Sequence, residues 1–307
     1  MPHGALPLDP EALLRARPFR GVLRIDRVDP VGEFAHSGTA CFVSDTEGRR
    51  FKLRRCASAW RAREIQRLLG GLGRITPGVV AREGALLLLE ALDEHRPLER
   101  EELLARIPEL GAIVARVHTA AERARVPSPP ARLLATLRSR FQIARDLRAL
   151  RRVATLRPEV QSAAEAGIDA GRARFGLPVS LELDDLHKAN LMLRDRDGDL
   201  RFVDEEGVAV RPLFTSLASL VKTADREVHW WAFREGYATV RDPGAITPEY
   251  TAYVVLIDTV RKVANKVRAA GSLDAERREK LPAEIDDLER VISHDGSSPD
   301  WGFHRGE

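Results

Sequence analysis

Cysteine is scarce. Only Cys41 and Cys56 occur in 307 residues, and they form no CxxC pair. That excludes a cysteine-rich zinc module, a thioredoxin-like motif and a disulfide scaffold, and it predicts two buried free thiols in a reducing cytoplasm. Long apolar runs are missing too. The longest, Ala85 to Leu89, is far short of the roughly 20 residues that cross a bilayer, so no integral membrane association is expected. Residues 1–10 lack a basic stretch followed by an apolar one, so no secretory leader is expected. Charge of one sign does not dominate. Lys and Arg number 49 against 46 Asp and Glu, a net charge of +3, and arginine is interleaved with acids rather than massed on one stretch. A nucleic-acid footprint needs such massing, so no nucleic-acid partner is expected. No Gly-x-x-x-x-Gly-Lys-Ser/Thr occurs, which argues against a P-loop enzyme.

What is present supports a folded chain. Hydrophobic residues make up 44%, enough for a core, and 31% are charged. Up to about residue 93 the pattern is strand-rich. Residues 33–44 read as strand, turn and strand, and residues 50–55 alternate. Residues 57–69 carry helical spacing closed by Gly70, Gly71 and Gly73, and residues 79–82 and 85–90 read as a strand pair. From 94 onward helices dominate, predicted over 99–121, 132–156, 158–174, 214–240, 248–270 and 273–293. The expected architecture is α+β and two-lobed: a small β-rich lobe over 1–93 and a larger, mainly helical lobe over 94–307. A ligand would lie at the junction.

The densest chemistry lies between Leu181 and Glu206. Asp185 is followed by Asn190, and Asp204 closes a second apolar run after a charged turn. A carboxylate that positions a hydroxyl, with an amide and a second carboxylate to hold Mg²⁺ against a triphosphate, is what phosphoryl transfer requires. Asp195 to Asp199 mimics a calcium loop, but Leu200 stands where that loop needs glycine. Asp197-Gly198 reads instead as the turn of a hairpin.

Several segments resemble one family in order. Leu183-Asp184-Asp185-Leu186-His187-Lys188-Ala189-Asn190 is similar to the His-Gly-Asp-Leu-His-x-x-Asn catalytic loop of the aminoglycoside phosphotransferase and choline kinase superfamily. Val203-Asp204-Glu205-Glu206 resembles its Ile-Asp-Trp-Glu metal motif. A helix ending in Val117-His118, the hinge-like run Leu87 to Leu92, and Phe233 to Tyr237 extend the likeness across most of residues 33–240. The resemblance implies a protein-kinase-like fold and an ATP-dependent kinase, GTP being an alternative donor, acting on a small-molecule hydroxyl. Asp185 would be the base, and Asn190 and Asp204 the Mg²⁺ ligands. Lys52 and Arg54 leave one face of a strand, and either could reach the phosphates. Glu64 on the next helix would pair with that cation. Ser37 and Gly38 would lie over the phosphates, and Glu90 and Leu92 would form the nucleotide hinge. His187 would brace the loop.

The sequence also departs from the pattern. Leu183 and Asp184 replace the family's His and Gly, and Ser216-Leu217-Ala218 replaces Asp-Leu-Ala, which removes an anchoring carboxylate. Two other readings stand beside the small-molecule kinase: a kinase of lipid-linked or polysaccharide sugar, and a nucleotide-binding protein with weak or no catalysis.

Overall fold

The computed structural model describes residues 8–16, 18–19, 21, 24–30, 39–153, 156–184, 186, 188–205, 207–220, 226–270 and 281–293. The chain divides into two compact units. The first holds residues 1–100 and 188–208, and the second holds 101–187 and 209–307. The hairpin that follows Asn190 therefore belongs with the N-terminal unit, whereas its position in sequence groups it with the helices.

The N-terminal unit begins with helix α1 (Pro10–Ala16), which the sequence reading left unassigned, and contains a five-stranded antiparallel sheet. Its strands are β1 (Ile25–Pro30), β2 (Ala40–Asp45), β3 (Arg50–Arg55), β4 (Val79–Glu83) and β5 (Leu86–Glu90), in the order β1-β2-β3-β5-β4. In β2, alternate residues Cys41, Val43 and Asp45 are buried. Asp45 then ties the turn to β3 by accepting from the Glu47 and Arg49 amides at 3.0 and 2.9 Å. Leu13, Phe19, Ile25, Cys41, Val43, Leu53 and Leu88 form a shared core. Both cysteines are buried and neither forms a disulfide, and burial pushes the Cys41 thiol up to about 11. Helix α2 (Ala59–Gly70) starts where the Ser58 hydroxyl accepts from the Arg61 amide, and buries Ala62, Ile65, Leu68 and Leu69.

The same unit holds a three-stranded antiparallel sheet, β6 (Arg96–Pro97), β8 (Leu191–Arg194) and β9 (Asp199–Phe202), in the order β6-β8-β9. The calcium-like segment is the turn between β8 and β9. Gly198 there sits at φ 72°, and Asp197 receives the Arg194 guanidinium at 2.8 and 2.9 Å.

The C-terminal unit is mainly helical: α3 (Arg100–Ala105), α4 (Ile107–Arg123), α5 (Pro129–Leu150), α6 (Pro158–Phe175), α7 (Thr215–Leu220), α8 (Arg226–Ala238), α9 (Pro248–Ala270) and α10 (Leu281–Ser293). Strands β7 (Val179–Leu183) and β10 (Val208–Pro212) pair beside them. The single helix expected over 99–121 is broken at Arg106. Pro108 has no N–H for a turn running on from α3, so α4 starts afresh with proline in its first turn. Pro129 and Pro130 likewise open α5. The helix expected over 214–240 is two, α7 and α8, with 221–225 outside the described residues. Of 273–293, residues 271–280 lie outside the described residues and α10 fills the rest.

Helices α4 and α8 cross at two glycines. A Cβ on Gly236 would meet the Pro108 carbonyl oxygen at 1.8 Å, and one on Gly111 would meet the Phe233 carbonyl oxygen at 2.1 Å. These neighbours are backbone and cannot swing aside, so the helices would have to separate. Gly236→Ala is expected to destabilise the C-terminal unit by about 3 kcal/mol, at the upper end of ordinary overpacking. Chemical denaturation of the variant checks this, and an unchanged midpoint would contradict it.

Candidate active site

In the N-terminal unit, β3 sends Lys52 and Arg54 to one face, and both reach the same carboxylate. Lys52 Nζ donates to Glu205 Oε1 at 2.7 Å and to the Val203 carbonyl at 3.1 Å. Arg54 donates to Glu205 Oε2 at 2.9 Å. Glu205 is fully buried, and the two cations are 18% and 13% exposed. Burial works to raise the Glu205 pKa, but Lys52 and Arg54 outweigh it and hold the carboxyl below the ordinary glutamate value.

The expected partner of that cation, Glu64, is engaged elsewhere. Arg61, one helical turn upstream on α2, donates to it at 2.6 Å. The carboxylate that Lys52 and Arg54 share comes from Glu205, where the family motif has tryptophan. The sequence reading missed this. Its only local signal is a third acid in Asp204-Glu205-Glu206, directly after a buried strand.

Asn190 ends a 3₁₀ turn, Lys188–Asn190, and its carbonyl accepts the Val203 amide at 2.9 Å. That bond joins the segments carrying Asn190 and Asp204, both half-buried. Lys52 therefore contacts the residues on either side of Asp204. Glu90 ends β5 and accepts from the Gly78 amide at 3.2 Å, while the Glu90 amide donates to the Gly78 carbonyl at 2.9 Å. Leu92 is half-buried just beyond it. Ser37, Gly38, Asp185, His187 and Glu206 lie outside the described residues.

In the C-terminal unit, the residues flanking position 185 are firmly held. Glu182, fully buried on β7, accepts four hydrogen bonds: from His118 Nε2 at 2.8 Å, the Phe214 amide at 2.9 Å, the Ser216 amide at 3.2 Å and Ser216 Oγ at 2.6 Å. The carboxylate only accepts, so His118 Nε2 carries the proton, and Nδ1 lies 3.0 Å from the Tyr237 hydroxyl. Burial lifts that phenol to about 12. Ser216 Oγ also accepts from the Leu183 amide at 3.1 Å.

The anchoring carboxylate that Ser216 seemed to remove is thus supplied across the contact by Glu182. The missed signal was a lone acid inside the apolar run Leu181-Glu182-Leu183. Asp184 meets Arg261 on α9 through two bonds, at 3.1 and 3.2 Å, and Arg211 lies 3.3 Å away. Its charge is therefore balanced by guanidinium groups. Leu183 and Leu186 are fully buried on either side.

The fold defined by these elements is shared with solved structures of small-molecule kinases, a choline kinase and a macrolide 2'-phosphotransferase among them. Among solved structures, the chain is similar to choline kinase LicA from Streptococcus pneumoniae, with TM-score 0.65 and 13% identity over 91% of this chain and 99% of that one. It is similar to macrolide 2'-phosphotransferase MphH from Brachybacterium faecium, with TM-score 0.59 and 17% identity over 90% and 98%. It also resembles amicoumacin kinase hAmiN, solved with AMP-PNP, Ca²⁺ and Ami, with TM-score 0.61 and 14% identity over 92% and 94%. No protein-family model matches the sequence, and no curated protein matches it.

Proposed function

We propose that the chain is an ATP-dependent phosphotransferase that moves the γ-phosphate to a hydroxyl of a small molecule, with Asp185 as the base. One observation carries the reading: Lys52 bonds to both neighbours of Asp204, and the Asn190 carbonyl holds Val203, so a phosphate-binding cation and two oxygen ligands share one neighbourhood. The nucleotide analogue and divalent ion named with the amicoumacin kinase agree with that use of the fold.

Asp204 and Asn190 offer a carboxylate and an amide oxygen, which suit a hard cation that also binds phosphates and water. Among the described residues no three His, Cys, Asp or Glu side chains form a metal-ready group, and Mg²⁺ at a phosphoryl site needs no such cage. Bound there, Mg²⁺ would neutralise charge on the phosphate oxygens. Lys52, beside Asp204, is the cation for the α- and β-phosphates, and Arg54 keeps Glu205 charge-balanced. Glu90 and Leu92 form the adenine hinge, and Ser37 and Gly38 cover the phosphates. Asp185 orients the acceptor hydroxyl and takes its proton, a role in which position matters more than basicity.

Calorimetric titration with ATP tests the metal assignment. Native protein is expected to bind ATP at least about tenfold more tightly with Mg²⁺ than without, and Asp204→Ala should erase the difference. Metal-independent binding that the substitution leaves unchanged would overturn it. ADP release measured across a panel of hydroxyl compounds then tests catalysis.

A further inference from the structure

Helix α5 has a second apolar face that stays exposed, with no packing partner among the described residues. Nine large apolar side chains are strongly exposed among the described residues, and four of them, Leu133, Leu134, Leu137 and Phe141, fall on this one helix. Their exposures are 63, 50, 51 and 75%. At helical spacing, residues 133, 137 and 141 form one stripe, with 134 beside it. The opposite face does the ordinary packing: Ile143, Asp146, Ala149 and Leu150 are buried, and Asp146 receives Arg268 from α9 at 2.7 Å.

The exposed stripe is framed by arginine. Arg138 and Arg145 flank it on one side, Arg140 on the other, and Arg148 follows at its C-terminal end, all exposed. None of these four makes an ion pair with a described acid, and Asp146, the only acid on the helix, is turned inward. A clean apolar stripe bordered by unneutralised arginines calls for an occupant that is apolar within and anionic at its surface. A second copy of the same face would oppose arginine to arginine. A protein partner gains most from a pocket that captures its side chains, and this is a single convex helix. Arginines beside leucine and phenylalanine can keep their stems along the apolar stripe while their heads reach phosphate.

We propose that the exposed face of α5 docks on an anionic lipid surface. The helix lies in the interface and does not cross it. Its other face is committed to the protein, and no helix among the described residues is long and apolar enough to span a membrane.

Co-sedimentation of the full-length protein with vesicles tests this. Vesicles of phosphatidylcholine with phosphatidylglycerol should bind it at least about tenfold more tightly than phosphatidylcholine alone, and added salt should weaken the binding. Leu137→Ser with Phe141→Ser should reduce it by about tenfold or more. Arg138→Gln with Arg145→Gln should reduce it about 25-fold, at roughly fivefold per charge. All four side chains are exposed, so thermal melts by circular dichroism should match the native chain. Binding that ignores lipid charge overturns the proposal, as does binding that survives the serine pair and so needs charge alone. Self-association abolished by that pair, or capture of an acidic polypeptide without vesicle binding, equally overturns it.

Discussion

Asp185→Asn is expected to lower turnover about a thousandfold while leaving ATP binding close to native, the midrange for loss of a positioned general base. The substituted amide keeps the size of the side chain and cannot accept the acceptor's proton. The surroundings of the loop make the two adjacent aspartates distinguishable. Asp184 is spoken for: Arg261 holds both its oxygens and Arg211 adds a third contact. Its substitution by Asn loosens the approach to the loop without removing a reacting group, so a loss of about tenfold is expected, as for a modest misplacement. Steady-state ADP release with the best acceptor, beside ATP titration of each variant, separates the two. Equal losses at both positions would mean that the loop as a unit, and not Asp185, was being measured. Undiminished turnover in Asp185→Asn would remove Asp185 as the base.

Features set by neighbouring residues were legible in the sequence. Strand β3 follows from the alternation of Phe51, Lys52, Leu53 and Arg54, and β5 from the apolar run closed by Glu90. The β8–β9 hairpin follows from Asp197-Gly198, because Gly198 adopts the positive φ that turn needs. The break at Arg106 could have been read from Pro108, but the apolar periodicity on both sides masked it. What stayed hidden depends on pairings across long stretches of chain. The resemblance pairs the β3 cation with Glu64 on the next helix, yet the partner of Lys52 is Glu205, 153 positions away. Where the family pattern has Asp, this chain has Ser216, and the carboxylate beside it is Glu182, 34 residues away. Local periodicity carries no information about which buried acid meets which cation. A charged residue within a buried run does signal that such a partner exists.

Glu205→Ala is expected to destabilise the N-terminal unit by about 3 to 5 kcal/mol, the range for removing one partner of a buried ion pair. Lys52 and Arg54 would be left facing each other, little exposed, with no shared carboxylate. For a unit of this size the melting point should fall by on the order of 10 °C. The pH dependence has a definite sign. A carboxyl held below its ordinary value in the folded state contributes stability that is fully present above the unfolded value, 4.5 for glutamate. It is lost as pH falls below that and on through the folded value. Native protein should therefore lose stability in that acid range more steeply than Glu205→Gln, which has no carboxyl to protonate. Matching acid profiles would mean that Glu205 is not held ionised. The combined replacement Lys52→Met, Arg54→Leu and Glu205→Leu separates folding from function. An apolar set of similar volume can recover much of the stability that the single substitution loses. ATP binding should not return with it, because Lys52, the proposed cation for the phosphates, is gone. If binding did return, the cluster would be a structural pin of the sheet, and the phosphate contact would have to be sought on another residue.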